Sequence, residues 1–368
     1  MDRAGHRTQR IARPAPPAGS NEGTGRDVRR RNAVGREETP WDDAVGRGLG
    51  FLHRALGPAG LPPARPGADP ELRRPLSGAE ARRHLLVTHG EDLGFDPDDE
   101  GFSAMWGLAL LRPDSGRAEE RELIAALAPQ VARYREPAAP RYRTFPPGPA
   151  STDSTAVAAA GLARHGLLGP TELDALAHEL LDTQIGPDDG PIPAYWEDSD
   201  RSPARGRRYD AVAAANILFA LHLPGAVGRL PHPAAEATLR YLVEHLNGPR
   251  TGTRYYAAPE AFLHAAARAS TVVPELAAPV RRAVGHVTTQ TADTPLSVAL
   301  LVLAGEYAGE TAELPELRRR LAGAQLADGS WPAGGYFRTG RLPLYFGSPH
   351  LTTLFAVRAL RPETAARL

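Results

Sequence analysis

Six stretches of this sequence, whose side chains are apolar or small on almost every face, each follow a polar cluster. The clusters contain Asp96, Asp98 and Asp99; Thr152, Asp153 and Ser154; Tyr209 and Asp210; Tyr255 and Tyr256; Asp293 and Thr294; and Ser348 and His350. Asp, Ser and Thr are favoured N-cap residues, so helix capping alone explains any single cluster. If the six stretches are parallel helices, the clusters meet at one opening and form a concave site. The carboxyl groups of such a site could act as general acids or bases.

The elements that must position these groups are helices of two kinds. Residues 156–162, 211–221, 296–304 and 351–360 have apolar or small side chains on almost all faces, which is typical of fully buried helices, and residues 102–111 and 261–267 are weaker members of the same set. Between them lie helices with one apolar stripe, such as Leu173, Leu176 and Leu180 at helical spacing. Ser77 and Glu80 have the spacing of a capping box, which predicts the start of another such helix.

The alternation of these two kinds of helix predicts the architecture. Buried and one-sided helices in about six pairs describe an inner ring inside an outer ring. We therefore predict an all-α fold, an (α/α)6 barrel formed as a single domain by residues 41–368. An open solenoid of helical pairs is the alternative, and the fully buried helices favour closure into a barrel. Residues 1–40 are rich in Arg, Pro and Gly with almost no large apolar residues, which predicts a disordered, solvated tail.

A motif near the end of the chain supports the barrel. Gln325 and Trp331 belong to a segment that reads Q-x3-G-x-W. The segment follows a predicted amphipathic helix and precedes the apolar stretch 351–360. It resembles the repeat of squalene cyclases, class II terpene cyclases and related prenyltransferase-like proteins. The resemblance implies an α/α toroid in which the Gln and Trp side chains tie one outer helix to its neighbour.

A second resemblance to class II terpene cyclases identifies a candidate acid. In that family a D-x-D-D-T-A motif opens an inner helix, and its third-position Asp protonates an alkene or an epoxide. Residues 151–156 read S-T-D-S-T-A. This segment keeps the third-position Asp as Asp153 and replaces both outer aspartates by Ser. The other catalytic candidates come from a cluster with D-x-D-D letters but no following Thr-Ala: Asp96, Asp98 and Asp99.

The replaced aspartates matter because of the chemistry that the resemblance implies. An acid that protonates a carbon–carbon double bond must hold its proton beforehand and be stabilised as an anion afterwards. Neighbouring carboxylates and hydrogen-bond donors can arrange that balance. Asp153 keeps hydroxyl donors and a helix N-terminus, and Asp98 or Asp210 could supply the missing carboxylate.

Carbocation chemistry also implies a dry, aromatic pocket, since ring faces stabilise cations. The side chains predicted to bind substrate near the opening are Trp106, Trp196, Asp210, Asn216, Tyr255, Tyr256, Asp293, Phe346 and His350. Core packing is the alternative role for each aromatic residue. If the substrate is a diphosphate, the candidate cations are Arg205, Arg207, Arg208 and Arg254, and Mg²⁺ is the candidate cofactor. The sequence predicts no other cofactor and no protein metal site.

Composition argues against several other functions. The 368 residues include 43 Lys and Arg, 43 Asp and Glu, and no Cys. A net charge of zero argues against a nucleic-acid partner, and the lack of Cys removes thiolate nucleophiles and thiolate zinc sites. The longest apolar run is shorter than the roughly 20 residues that span a membrane. No secretory signal is apparent either, so we predict a cytoplasmic protein without an integral membrane segment.

Three functions remain open at this point. The leading one is a class II terpene cyclase-like enzyme that protonates a prenyl or polyprenyl substrate, with or without a diphosphate, from Asp153. Two carboxylates at the opening would instead suit a carbohydrate-active hydrolase or lyase on the same type of barrel. A non-catalytic ligand-binding barrel with a degenerate acid motif is the third, and the two Ser replacements favour it. The sequence predicts a small isoprenoid partner and gives no oligomeric state.

Overall fold

The computed structural model describes residues 39–182, 190–196, 207–248, 253–285, 292–340 and 342–361. The α-helices of these residues are α1 (Asp42–Arg54), α2 (Gly78–His89), α3 (Phe102–Leu110), α4 (Ala118–Ala132), α5 (Thr152–Arg164), α6 (Pro170–Asp182), α7 (Ala211–Leu221), α8 (Pro233–Asn247), α9 (Glu260–Ser270), α10 (Ala277–Gly285), α11 (Pro295–Ala308), α12 (Leu314–Gly323) and α13 (Pro349–Ala359). The strands are β1 (Arg65–Gly67), β2 (Phe337–Arg338) and β3 (Tyr345–Gly347).

Six helices, α3, α5, α7, α9, α11 and α13, form a closed inner ring. Each packs against the next one in chain order, and α13 packs against α3. Nearly all of their residues are buried, and most of their side chains are apolar or small. The predicted apolar stretches correspond to these six helices. The stretch 211–221 matches α7 to the residue, whereas 261–267 extends at both ends to become α9.

The one-sided helices form the outer layer. Helices α4, α6, α8, α10 and α12 each pack against the inner helix that precedes them, and α1 packs against both α13 and α4. The leucines of the predicted stripe in α6, including Leu173 and Leu180, are buried. The prediction of an all-α (α/α)6 barrel is therefore confirmed. Closure depends on α1, which lies at the N-terminal end of the barrel and serves as the outer partner of the last inner helix.

The Q-x3-G-x-W segment lies where the two ends of the barrel meet. The Gln325 side chain donates from Nε2 to the Ala44 carbonyl of α1 at 2.8 Å, and its Oε1 accepts from Arg47 at 2.5 Å. The Trp331 side chain is fully buried and donates from Nε1 to the Leu321 carbonyl of α12 at 2.6 Å. These two side chains therefore connect the end of α12 to α1.

A small antiparallel sheet, ordered β1-β3-β2, was not predicted from the sequence. Its strands have two or three residues each, too few for an alternating pattern to be recognised. The sheet brings aromatic side chains to the starts of the inner helices, since Phe337 of β2 lies 5.4 Å from Phe102 of α3 between ring centroids. Gly347 is required in β3, because an added Cβ would lie 1.9 Å from the Gly334 carbonyl oxygen.

The remaining predictions on chain organisation have different outcomes. The capping box before α2 is present: Ser77 accepts from the Glu80 amide at 3.3 Å and Glu80 accepts from the Ser77 amide at 2.8 Å. The predicted disordered tail lies outside the described residues, except for its last two positions. The single-domain assignment stays a prediction. None of the helices in the described residues is long and apolar enough to cross a membrane.

Candidate active site

Asp153 lies in the first turn of α5, and its side chain is only 7% exposed. It does not cap the helix, because Ser151 occupies the N-cap position and accepts from the Ser154 amide at 3.2 Å. Asp153 instead lines a pocket, called here the acid pocket, beside the N-terminal ends of the inner helices. The other residues of the acid pocket are Phe95, Phe102, Thr144, Phe145, Ser151, Ser154, Ala194, Tyr195, Arg208, Tyr255, Tyr256, Phe337, Arg338 and Thr339.

Two side chains from other parts of the chain hold the Asp153 carboxyl group. The Tyr256 hydroxyl lies 2.5 Å from Oδ2, and the Asn216 amide nitrogen donates to Oδ1 at 2.8 Å. The amide oxygen of Asn216 in turn accepts from Arg268 at 2.8 Å. All four side chains are buried. The carboxyl group is therefore fixed in orientation by contacts from α7 and from the segment before α9.

Burial raises the pKa of the Asp153 carboxyl from its ordinary value of 3.8 to about 6. Hydrogen bonds from Tyr256 and Asn216 oppose that rise because they stabilise the carboxylate. The charge of Asp210 raises this pKa further, and the charge of Arg268 lowers it. A carboxyl group in this environment holds its proton below about pH 6 and has donors ready for the anion.

Asp210 acts mainly as the N-cap of α7. Its Oδ1 accepts from the Val212 and Ala213 amides at 2.9 and 3.3 Å, and its Oδ2 accepts from the Tyr255 amide at 3.0 Å. Both oxygens are thus engaged by backbone donors. Burial raises the pKa of Asp210 as well. Asp210 therefore acts on Asp153 through its charge, and its own position is explained by helix capping.

The second acidic cluster has structural partners. Asp98 accepts from the Gly78 amide at 2.8 Å, and Asp96 accepts from the Asp98 amide at 3.0 Å. Asp99 accepts from the Tyr134 hydroxyl at 2.8 Å. None of these three carboxylates is among the described residues that line the acid pocket. The cluster forms a turn that holds the start of α2 and the end of α4.

Several of the predicted substrate-binding residues come together. Tyr255 and Tyr256 line the acid pocket. Trp106 is fully buried in α3, and Phe346 stacks on the pocket residue Phe337 with 5.1 Å between ring centroids. Asn216 and Tyr256 contact Asp153 itself, whereas Trp106 and Phe346 pack behind the pocket residues Phe102 and Phe337.

Three other predicted residues lie elsewhere. Trp196 is buried beneath the Arg141 guanidinium, which lies 4.9 Å from its ring centroid. Asp293 is exposed and immediately precedes the N-cap of α11. His350 stacks on Phe51 of the outer helix α1 at 5.1 Å, and burial lowers its pKa. None of the three lines the acid pocket as the described residues form it.

Some of the candidate cations line the acid pocket, and others lie elsewhere. Arg208 lines the acid pocket, together with Arg338, which the sequence analysis did not single out. Arg254 is exposed, and its carbonyl accepts from Arg338 Nε at 3.0 Å. Arg207 is partly buried, and Arg205 lies outside the described residues. Across the described ranges, no group of three or more Asp, Glu or His side chains is arranged to hold a metal ion.

Sequence reasoning missed a buried carboxyl group at the start of α3. Glu100 is fully buried and accepts from the Ala64 amide at 2.9 Å and from the Ser103 amide and hydroxyl, both at 2.7 Å. Burial raises its pKa to about 7. These donors tie the chain before β1 to α3, which explains Glu100 as a structural residue. Its long-range partner Ala64 left no signal in the sequence.

Sequence reasoning also missed polar groups deeper in the barrel. Arg268 and His264 lie one turn apart on α9, and neither ring nitrogen of His264 has a hydrogen-bond partner in the described structure. Burial lowers the pKa of His264 well below its ordinary value. The Tyr336 ring lies 5.3 Å from the Tyr256 ring between centroids. A signal for two of these residues existed, because an Arg and a His stand out in a stretch that is otherwise fully buried.

Comparisons with known proteins concern the fold. The chain matches no protein-family model and no curated protein sequence. In structure it is similar to a protein from Actinoplanes, with 17% identity over 87% of this chain and 98% of that chain and a TM-score of 0.61. It is also similar to the type II terpene cyclase MstE from Scytonema in its apo form, with 13% identity over 87% and 96% of the two chains and a TM-score of 0.59. An MstE variant in complex with geranylgeranyl dihydroxybenzoate (substrate) gives 12% identity, the same coverage and a TM-score of 0.58. The chain therefore has a terpene cyclase-like fold.

Proposed function

We propose that this protein is a class II terpene cyclase-like enzyme in which Asp153 starts the cyclisation of a prenyl or polyprenyl substrate by protonation. The observation that carries the proposal is the environment of Asp153: a buried carboxyl group that faces an aromatic pocket and has two hydrogen-bond donors for its anion. The raised pKa keeps the proton in place before reaction, and the donors stabilise the carboxylate that forms.

The reaction balances without a redox partner. The Asp153 proton passes to a double bond, or to an epoxide oxygen, at one end of the chain, and a carbocation forms. An internal double bond attacks that cation and closes a ring, and loss of a proton from carbon ends the reaction. The product is an isomer of the substrate, and Asp153 has to regain a proton before the next turnover.

The walls of the acid pocket suit a carbocation. Phe102, Phe145 and Phe337 line it together with Tyr255 and Tyr256. Aromatic faces attract cations, and apolar walls exclude the water that would quench a carbocation. We propose that these rings guide the folding of the prenyl chain. For a diphosphate substrate, Arg208 and Arg338 are the proposed cations, and Mg²⁺ would bind to the diphosphate oxygens.

The two alternative functions have less support. A hydrolase or lyase needs a second carboxylate that faces the substrate, and both oxygens of Asp210 are engaged by backbone amides. A purely ligand-binding barrel does not need a buried carboxyl group with donors arranged for its anion. Keeping such a group without use is unfavourable, because burial of a charge costs stability.

Product analysis tests the proposal directly. The protein is incubated with linear prenyl diphosphates, with squalene and its epoxide, and with geranylgeranyl dihydroxybenzoate, which is the substrate in the MstE complex. We expect an isomer with fewer double bonds, detected by mass spectrometry and NMR, from at least one of these substrates. Absence of cyclised product from all of them would favour the ligand-binding alternative. A shift in melting temperature on addition of the same compounds would then identify the ligand.

The rate should depend on pH in a defined direction. The general acid has to be protonated, and burial raises the pKa of Asp153 to about 6. We therefore expect kcat/KM to be constant at low pH and to fall as the pH rises through about 6. A rate that increases through this range would mean that a deprotonated group, and hence a base, starts the reaction.

Tyr256→Phe should weaken catalysis with little effect on the fold. The variant removes the hydroxyl that lies 2.5 Å from Asp153 Oδ2, and a hydrogen bond to a charged group contributes about 1.5 to 3 kcal/mol. We expect kcat to fall by about 10- to 100-fold. The pH at which the rate declines should also move upward, since the Asp153 anion loses a donor. Tyr255→Phe is the matched control, because Tyr255 lines the same pocket but its hydroxyl does not contact Asp153.

A further inference from the structure

We infer that Arg268 is a positioning residue: through Asn216 it determines which oxygen of Asp153 carries the acidic proton, and it stabilises the carboxylate that remains. The sequence motif S-T-D-S-T-A lacks the outer carboxylates of the motif that it resembles. A buried cation acting through an amide takes the place of those groups. The inference rests on the proposed role of Asp153 as acid, but its central test needs no substrate.

The position of the proton follows from which groups can donate. A guanidinium group has donors and no acceptor, so the Asn216 oxygen must face Arg268, 2.8 Å away. The NH2 group of Asn216 must then face Asp153, where it donates to Oδ1 at 2.8 Å. Oδ1 is therefore an acceptor in both protonation states. A carboxylic acid accepts best at its carbonyl oxygen, so this contact favours Oδ1 as the carbonyl oxygen and the acidic proton on Oδ2, beside the Tyr256 hydroxyl and the acid pocket.

The charge of Arg268 acts on the same carboxyl group. Arg268 is 6% exposed. Its Cζ atom lies 4.9 Å from the centroid of the Trp106 ring and 4.5 Å from the centroid of the Phe219 ring. Arg268 forms no ion pair with any residue that the structure describes. Loss of the Asp153 proton therefore creates the anion that compensates this buried cation, with Asn216 between them. Arg268 accordingly favours the ionised form of Asp153.

The pKa of Asp153 distinguishes a positioning role of Arg268 from a role in packing alone. Infrared difference spectra follow the carboxyl C=O band against pH in the full chain without substrate, and Asp153→Asn identifies the band. We expect Arg268→Gln, which keeps a donor but removes the charge, to raise the pKa of Asp153 by about one unit, a tenfold change in its ionisation constant. Arg268→Lys keeps the charge and should leave the pKa closer to that of the parent protein.

Arg358→Gln is the matched control for loss of a buried arginine. Arg358 is 2% exposed in α13 and donates to the Tyr307 hydroxyl at 3.3 Å. It should not move the Asp153 band. If Arg268→Gln does not fold, Asn216→Leu provides the second test, since it removes the connecting amide and keeps both charged groups. An Asp153 pKa unchanged in the folded variant, or changed equally by Arg358→Gln, would overturn the inference.

Kinetics add an independent readout once a substrate is known. A positioning residue acts on the acid and not on substrate binding, so Arg268→Gln should lower kcat by about tenfold and leave KM nearly unchanged. A rise in KM alone would contradict the inference. Lack of turnover in the parent protein would instead contradict the proposed function, and the infrared titration would remain a valid test of Arg268.

Discussion

Asp153→Asn is expected to abolish cyclisation and, at the same time, to make the folded protein more stable at neutral pH. The amide cannot donate a proton to a double bond, and loss of a general acid costs about 10²- to 10⁴-fold or more in rate. The fold should remain, because an amide can accept at Oδ1 from Asn216 and donate to the Tyr256 hydroxyl. It reproduces the hydrogen bonds of a protonated carboxyl group whose proton lies on Oδ2.

The gain in stability depends on pH with a sign that can be worked out. The folded state raises the pKa of Asp153 from 3.8 to about 6, so the folded protein binds this proton more tightly than the unfolded chain. The contribution of Asp153 to the unfolding free energy is therefore fully present below about pH 4. It is lost as the pH rises from about 4 through 6, by about 3 kcal/mol in total. Asp153→Asn removes this loss. Its unfolding free energy should exceed that of the parent protein at pH 8, and the difference should shrink by pH 5.

Asp98→Asn distinguishes the two candidate acids. Asp98 is exposed and its known partner is the Gly78 amide, so this variant should keep most of the activity and show no stability gain at pH 8. Activity is measured by product formation, and stability by urea unfolding at both pH values. An active Asp153→Asn together with an inactive Asp98→Asn would assign the acid to Asp98.

The fold was predictable because it is encoded in local patterns. Helices such as α7 and α11 are apolar on every face, and only an inner layer can bury such helices. The sheet could not be predicted in this way. Strand β2 has two residues and pairs with β3 across an intervening loop, so its formation depends on the helices that hold both segments in place.

The site was predictable only in part, for a geometric reason. Successive residues of a helix point about 100° apart, so a position near a helix start does not decide which side chain faces the axis. Asp153 faces the pocket because Ser151 caps α5 in its place. Asp293 and His350, by contrast, lie outside the acid pocket. The contacts of Asp153 with Asn216 and Arg268 join α5, α7 and α9, and such long-range contacts leave no periodic signal.

Trp331→Ala should cause the largest loss of stability among single substitutions outside the site. The Trp331 indole is fully buried against Gly48 of α1, where an added Cβ would lie 3.0 Å from the ring, and it donates to the Leu321 carbonyl at 2.6 Å. Truncation leaves a cavity at the closure of the ring, which should cost about 3 to 5 kcal/mol. Trp331→Phe should cost less stability, because Phe fills most of the space and loses only the N–H donor.

Urea unfolding measures the stability of both variants, and product formation by the folded fraction should equal that of the parent protein. A loss of less than 1 kcal/mol in Trp331→Ala would mean that contacts such as that of Gln325 with Ala44 are sufficient to close the barrel.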